Sequence, residues 1–191
     1  MAKSNDKLEQ FRAEYLCNFQ RIEWNTTPGD ATLLRILIES SRAKRGLEIG
    51  TATGYGAMVM GLGFERTGGR LTSVDPDAEM IAAARANVRK MQLHKTVSFI
   101  KGDALAVIPK LHGKFDFVFI DALKEDYLKY YQVIVPKLKR RAVIVADNVI
   151  QRAELMPDFL QAVRDDRHCL SVTVQASEEK GDGMLVIYRT K

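Results

Sequence analysis

Acidic side chains stand at the ends of short apolar runs along most of this sequence. They are Glu48, Asp75, Asp103, Asp121 and Asp147, the last of which is followed by Asn148. Acidic residues that served only solubility would be scattered, whereas these recur at one point of each repeat of the pattern. Carboxylates in such positions can bind a ribose diol, hold a metal ion or take up a proton.

A glycine-bearing turn follows the first of these runs. Residues 47–57 read LEIGTATGYGA, which predicts a strand end, a tight turn and the start of a helix. Backbone N–H groups and a helix dipole in this geometry can receive a nucleotide-like ligand. The spacing is Gly-x-x-x-Gly-x-Gly and not the G-x-G-x-x-G of dinucleotide binders, so a purely structural turn is also consistent with it.

Asp121, Asp147 and Asn148 together have the chemistry of a magnesium site. They offer hard oxygen ligands, too few to fill a six-coordinate shell, so that water or substrate oxygens would complete it. Zinc is not indicated, because the histidines have no ligand spacing. Lys124 lies three residues beyond Asp121, and a lysine near a divalent cation gives up its proton more readily, which suits a general base.

Each of these residues also has a structural interpretation. Asp75 and Asp103 could cap the helices that follow them. Asp147 and Asn148 are both common in turns. Without a metal, Lys124 would be an ordinary charged residue at a helix start.

The elements that must position these side chains follow from hydrophobic periodicity. Apolar residues at three- and four-residue steps predict one helix over about residues 5–22 and a second that begins near Pro28 or Asp30. Short strands then alternate with helical segments, and the strands are predicted at Leu47–Ile49, Arg70–Val74, Val97–Ile100, Phe115–Ile120 and Ala142–Ala146. A polar, glycine-bearing loop joins the last two strands, Leu170–Val174 and Met184–Tyr188.

This alternation is typical of a parallel sheet covered on both faces. We therefore expect an α/β fold with one doubly wound, mostly parallel sheet and a C-terminal antiparallel hairpin. The whole chain, 1–191, is predicted to be a single domain, with N-terminal helices in 1–43 and the α/β core in 44–191. Ligands of such sheets bind beyond the carboxyl ends of the strands, where the acidic residues lie.

Bulk composition indicates a soluble globular protein. Hydrophobic residues make up 46% and charged residues 28%, and the net charge of +5 permits an anionic partner without requiring one. The polar N-terminus and the lack of a run of about 20 apolar residues predict a cytoplasmic protein with no membrane segment. The two cysteines lie far apart, which is typical of buried thiols in a reducing compartment.

With these residues in place, the sequence resembles the cation-dependent S-adenosylmethionine O-methyltransferases, the family that includes catechol and caffeoyl-coenzyme A O-methyltransferases. The resemblance rests on EIGTATGY at Glu48–Tyr55, on FIDALK at Phe119–Lys124 with Tyr127 and Tyr130, and on Asp147–Asn148. It implies a Rossmann-like methyltransferase sheet, S-adenosyl-L-methionine as cofactor, and a divalent cation, Mg²⁺ or else Mn²⁺ or Ca²⁺, at Asp121, Asp147 and Asn148.

The resemblance also implies roles for individual residues. Lys124 and Asp121 would be catalytic, with Lys124 as the base, and Tyr130 and Arg152 would contact the substrate. The implied cofactor contacts are Thr26, Glu48, Gly50, Thr51, Gly54, Tyr55, Gly56, Asp75, Pro76, Asp103, Ala104 and Asp121.

Three positions depart from the pattern of the family. Gly56 stands where relatives often have serine, and Leu123 replaces an acidic residue that commonly helps to bind the cofactor. Both changes could weaken cofactor affinity. The predicted turn Lys139–Arg141 lacks the usual glycine pair.

The leading functional prediction is metal-dependent methyl transfer to a hydroxyl of a catechol-like or vicinal dihydroxy small molecule. Methylation of a hydroxylated nucleoside in tRNA is an alternative, with the basic stretches 42–45 and 137–141 as phosphate contacts. A non-catalytic cofactor-binding domain is another. An aromatic stripe on the first helix could support a homodimer or pack on the protein's own core.

Overall fold

The computed structural model describes residues 2–191, with side chains from Asp6 onward. Position 1 of the predicted domain lies outside the described residues. Seven α-helices occur in these residues: α1 (Ala2–Cys17), α2 (Pro28–Ser41), α3 (Tyr55–Thr67), α4 (Ala78–Lys90), α5 (Ala104–Val107), α6 (Tyr127–Ile134) and α7 (Pro157–Asp165). The strands are β1 (Arg45–Ile49), β2 (Arg70–Asp75), β3 (Val97–Lys101), β4 (Phe115–Ile120), β5 (Leu138–Ala146), β6 (Cys169–Val174) and β7 (Met184–Arg189).

All seven strands form one sheet in the order β3-β2-β1-β4-β5-β7-β6. The strands β1 to β5 are parallel, while β7 is antiparallel to β5 and to β6. The strand order reverses between β1 and β4. The doubly wound, mostly parallel sheet and the C-terminal hairpin predicted from the sequence are therefore confirmed.

Alternating side chains of each central strand enter two separate apolar layers. In β4, Phe117 and Phe119 pack with residues of α2, α3 and α4, whereas Val118 and Ile120 pack with residues of α5, α6 and α7. All four are completely buried. Burial on both faces explains why this strand reads as a continuous apolar run.

The register of the parallel strands brings their carboxyl ends to a single edge of the sheet. Ile49 of β1 pairs with Val74 of β2 on one side and with Ile120 of β4 on the other. Ile120 in turn pairs with Ala146 of β5. The residues that follow these positions therefore lie side by side, and they are Gly50, Asp75, Asp121 and Asp147.

Two predicted boundaries are wrong. The first helix ends at Cys17 and not near residue 22. Phe19, which was expected on this helix, lies beyond its end and packs on Tyr55 with ring centroids 5.5 Å apart. The basic stretch predicted as a turn lies inside β5. Leu138 already pairs with Phe115, and the register then shifts near Arg141, whose φ is +66°.

The prediction of two buried thiols is also wrong, because Cys17 is exposed and Cys169 is half-buried. None of the described helices is long and apolar enough to cross a membrane. The division into a helical 1–43 and a core 44–191 within one domain stays a prediction.

Gly50 allows β1 to end in close contact with β4. Its φ is +89°, and a Cβ at this position would lie 1.9 Å from the carbonyl oxygen of Asp121. The Gly50 amide donates to the carbonyl of Val74 at 3.0 Å. A residue with a side chain would have to separate the two strand ends, so glycine is required here for space as well as for conformation.

We expect Gly50→Ala to lower the free energy of unfolding by at least about 3 kcal/mol, since it adds a backbone clash to the cost of a positive φ. Urea denaturation measures this. Gly68→Ala is the matched control, because φ there is +69° and the nearest atom to an added Cβ is 3.7 Å away. The control should lose only about 1 kcal/mol. Equal losses in the two variants would contradict the close approach.

Candidate functional site

The turn after β1 is joined to the end of β2 by the Asp75 carboxylate. Asp75 Oδ2 accepts the Thr51 amide at 2.8 Å, and Oδ1 accepts the Asp77 amide at 2.9 Å. The helix α4 is capped by Asp77 instead, which accepts the amides of Glu79 and Met80. Asp75 is therefore held at the strand ends and is not the cap of the following helix.

Asp103 caps the short helix that follows it, which is one of the two roles that the sequence allowed. Its side chain accepts the Leu105 amide at 2.9 Å and caps α5. Ala104, the first residue of that helix, is buried. The pair lies where β3 ends, and a contact with an adenine ring there stays a prediction.

Glu48 is a buried carboxyl with an unsatisfied oxygen. It is 1% exposed, and its Oε2 has no hydrogen-bond partner among the described residues. The pKa of Glu48 is raised to about 8, and burial is the largest cause. The hydrogen bond with the Ser73 hydroxyl lowers this pKa, whereas the nearby carboxylates of Asp121 and Asp75 raise it. The carboxyl therefore keeps its proton at neutral pH and can donate or accept a hydrogen bond.

Gly56 packs closely against Thr26 and Glu48, with no room for a side chain. A Cβ there would lie 2.8 Å from Thr26 Oγ1 and 3.2 Å from Glu48 Oε1. A serine at this position would have to move Thr26 in this arrangement. That Thr26, Glu48 and Gly56 contact the cofactor stays a prediction.

Lys124 is held by two partners at the end of β4. Its Nζ donates to Asp121 Oδ1 at 2.9 Å and to the hydroxyl of Tyr127 at 2.9 Å. The Tyr127 hydroxyl lies within donating distance of the carbonyl oxygens of Ile120 (3.1 Å) and Asp147 (3.2 Å). Burial, and then the charges of Asp121 and Asp147, raise the pKa of Tyr127 well above its usual range, so this phenol stays protonated.

Lys180 occupies the corresponding position at the end of β5. Its Nζ donates to Asp147 Oδ2 at 2.5 Å and to Asp30 Oδ2 at 3.2 Å. Burial and the nearby Asp121 carboxylate raise the pKa of Asp147, and Lys180 works against that rise. Burial lowers the pKa of Lys180, but Asp147, Asp30 and Asp121 outweigh it and raise that pKa overall.

Asp182 holds the chain that follows β5. Its Oδ1 accepts the amides of Ile150, Gln151 and Gly183, and its Oδ2 accepts the side-chain amide of Asn148 at 3.0 Å. Because these bonds lower the pKa of Asp182 against the effect of burial, the carboxylate is charged. Asn148 is thereby fixed with its NH₂ group turned towards the hairpin.

Two of the three predicted metal ligands are paired with lysines in place of a divalent cation. Asp147 is paired with Lys180 and Asp121 with Lys124, while Asn148 is held on Asp182 through its NH₂ group, which is not a metal ligand. Across the part of the chain that the structure describes, no three His, Cys, Asp or Glu side chains are grouped so that they could hold a metal ion. The divalent cation stays a prediction.

The remaining predicted residues lie at the same edge of the sheet. Tyr130 is buried, with its ring centroid 6.4 Å from that of Tyr127, and burial raises its pKa to about 12. The Arg152 amide donates to the carbonyl of Asn148 at 3.1 Å, which places Arg152 just beyond β5. The rest flank the turns after β1 and β2, and they are Gly54, Tyr55 and Pro76.

Sequence reasoning missed four residues of this site: Asp30, Tyr127, Lys180 and Asp182. Tyr127 belongs to the motif that carries the resemblance, but the motif alone assigns it no role. Lys180 and Asp182 lie in a loop whose sequence predicts only the connection of a hairpin. A long-range ion pair such as Lys180–Asp30, which spans 150 residues, leaves no local pattern that could have revealed it.

Comparison with known proteins gives a consistent result. The model of a family described as O-methyltransferase matches residues 2–172. Among curated proteins, a catechol O-methyltransferase of Niastella koreensis is 31% identical over 138 residues, which are 70% of this chain and 62% of that protein. A caffeoyl-CoA O-methyltransferase of Stellaria longipes is 28% identical over 148 residues, 71% of this chain and 61% of that one. The matches thus span about three fifths of these relatives.

Solved structures share the fold over almost the whole chain. An O-methyltransferase from Bacillus cereus in complex with SAH has a TM-score of 0.82 at 23% identity, covering 96% of this chain and 89% of that one. Cofactor-bound Rv0187 from MTB has a TM-score of 0.83 at 26% identity, covering 99% and 90%. The predicted Rossmann-like methyltransferase architecture is confirmed.

The buried Glu48 carboxyl makes a testable contribution to the pH dependence of stability. The unfolded chain ionises this group near 4.5, whereas the folded chain keeps its proton up to about 8. The stability it contributes is therefore present at low pH and lost as the pH rises through this window. Between about pH 5 and pH 8, the wild type should lose up to about 1.4 kcal/mol per pH unit relative to Glu48→Gln.

Urea denaturation across this pH range measures the difference between the two proteins. Glu23→Gln, which changes an exposed glutamate, is the control and should follow the wild type at every pH. A Glu48→Gln curve parallel to that of the wild type would show that Glu48 is ionised in the folded protein.

Proposed function

Since this chain belongs to the O-methyltransferase family, we propose that it transfers the methyl group of S-adenosyl-L-methionine to a hydroxyl group of a catechol-like or vicinal dihydroxy small molecule. The observation that carries the proposal is the placement of Lys124 Nζ between Asp121 and Tyr127 at the carboxyl edge of the sheet. The similarity to a catechol and a caffeoyl-CoA O-methyltransferase supports this class of acceptor.

Two features of the turn after β1 suit the proposed cofactor. Glu48 has an unsatisfied oxygen that could bind the amino-acid end of S-adenosylmethionine, and the absence of a side chain at Gly56 keeps the turn close to Glu48. Asp75, held at the end of β2 by the Thr51 amide, would accept hydrogen bonds from the ribose hydroxyls, as the resemblance to the family implies. When bound, the cofactor supplies a methyl group already activated on a sulfonium.

The position of Leu123 bears on affinity for this cofactor. Its side chain is exposed, and it stands where relatives commonly carry an acid. We expect cofactor binding to be weaker than in relatives that retain the acid.

Lys124 can act as the base because its neighbours orient it. As a neutral amine, its two N–H bonds would donate to Asp121 and Tyr127, and its lone pair would remain for the proton of an acceptor hydroxyl. The acceptor oxygen would then attack the methyl carbon as the carbon–sulfur bond breaks, and Lys124 would retain the proton as an ammonium. Most of the rate would come from positioning two bound reactants.

A divalent cation at Asp121, Asp147 and Asn148 remains the finer prediction from the sequence. A homodimer and a cytoplasmic location likewise remain predictions.

The tRNA alternative is less well supported by the position of the basic stretches. Arg45 begins β1 and Leu138 begins β5, so both stretches lie at the amino ends of strands, opposite to Lys124. Several of these cations are also bound within the chain: Lys139 pairs with Asp116 at 2.8 Å, and Lys137 donates to the Leu111 carbonyl at 2.6 Å. An RNA phosphate held there would not bring its nucleoside to the catalytic edge.

A methyl-transfer assay separates the candidate functions. Labelled S-adenosylmethionine is offered with small catechols, with a monohydroxy phenol and with bulk tRNA, each in EDTA and in added Mg²⁺, while calorimetry measures binding of the demethylated cofactor. Transfer to the catechols and not to the phenol is the expected result. Transfer to tRNA alone would favour the alternative acceptor, and cofactor binding without any transfer would favour a non-catalytic domain.

Substitution of Lys124 tests its role as the base. Lys124→Met should lower kcat for catechol methylation by about 10²- to 10⁴-fold and leave calorimetric affinity for the demethylated cofactor unchanged. Lys129→Met is the matched control, because Lys129 also pairs with the aspartate three residues before it but is exposed. A Lys124→Met enzyme as active as this control would contradict the assignment.

A further inference from the structure

Lys180 connects two carboxylates that come from distant parts of the chain. Asp30 lies in the first turn of α2, and Asp147 follows β5. Both carboxylate side chains are 2% exposed, and the ammonium of Lys180 lies 3.2 Å from the first and 2.5 Å from the second. Asp30 Oδ1 has no hydrogen-bond partner among the described residues.

The backbone around Lys180 is fixed, so the ion pairs are not a chance conformation of a surface lysine. Gln151 Nε2 donates to the Lys180 carbonyl at 2.9 Å, and Asp182 ties the same loop to the residues after β5. The Lys180 side chain is 18% exposed. The loop therefore delivers one positive charge to a fixed point at the catalytic edge.

A cation is needed at this point for elementary electrostatic reasons. Two buried carboxylates close to one another repel, and each has lost its hydration. Asp121 adds a third negative charge nearby, and Lys124 compensates only that one. The Asp147–Asp30 pair would be left uncompensated without Lys180 or a bound metal ion.

We infer that the Lys180 ammonium takes the place of the divalent cation at Asp147. It supplies one positive charge to the Asp147–Asp30 pair from within the chain, and a metal ion reaches Asp147 only by displacing it. That this edge of the sheet also binds the methyl acceptor rests on the proposed function. The neutralisation of Asp147 itself rests on the observed ion pairs.

Mn²⁺ binding tests the inference directly, because free aqueous Mn²⁺ has an electron paramagnetic resonance signal that is lost on binding. The wild type should show no measurable Mn²⁺ binding up to about 10 mM. Lys180→Met should bind one Mn²⁺ at least about tenfold more tightly than that limit, since it frees two hard oxygen donors. Lys180→Arg, which keeps the charge, should resemble the wild type. Adding Asp147→Asn to Lys180→Met should abolish the gain.

Lys139→Met is the matched control, because Lys139 forms an ion pair of similar length with Asp116 at the opposite edge of the sheet. It should leave Mn²⁺ binding unchanged. Equal Mn²⁺ affinity of the wild type and Lys180→Met would overturn the inference, as would a gain of the same size in Lys139→Met.

Thermal unfolding of the wild type decides the question even if Lys180→Met does not fold. A protein whose metal position is already filled should show no rise in Tm with Mn²⁺ up to about 10 mM. A clear, saturable rise would overturn the inference. Neither measurement uses methyl transfer, so a chain that binds Mn²⁺ as expected and methylates nothing would refute the proposed function alone.

Discussion

Compensation of buried negative charge at the carboxyl edge of the sheet is the constraint on which the rest of this site depends. Parallel pairing of β4 with β5 places Asp121 beside Asp147, and α2 adds Asp30. Such carboxylates are tolerated only when they are paired or protonated. Lys124 and Lys180 provide the pairing, and each is carried by a segment that must dock correctly to deliver it.

The neighbouring carboxyl, Glu48, meets the same constraint by staying protonated and not by pairing with a cation. It has no cation partner among the side chains that the structure describes, and burial favours its protonated form. The edge therefore contains a neutral part beneath the turn after β1 and a charged part at β4 and β5. This division matches the two reactants of the proposed reaction, because the cofactor would lie over the turn and the acceptor would lie beside Lys124.

The sequence was sufficient to predict what depends on local pattern. Apolar runs such as 115–120 are recognisable because both faces of the strand are buried, and parallel strands necessarily bring residues like Asp121 and Asp147 to one edge. Lys180 was not predictable, because its partners are 33 and 150 residues away and a flexible four-carbon stem reaches them. The sequence did not predict the start of β5, because exposed basic residues at 139–141 are more typical of a turn than of a strand.

A crystal structure of the protein grown with the demethylated cofactor and Mn²⁺, with anomalous diffraction to locate manganese, tests the central claim most directly. The account predicts cofactor density over the turn at 50–56, Lys124 Nζ facing the open side of that cofactor, and Lys180 bound to Asp147 with no manganese peak beside it. Cofactor density elsewhere, or none at all, would contradict the proposed site. A manganese peak between Asp121 and Asp147, with Lys180 turned away, would contradict the role given to Lys180.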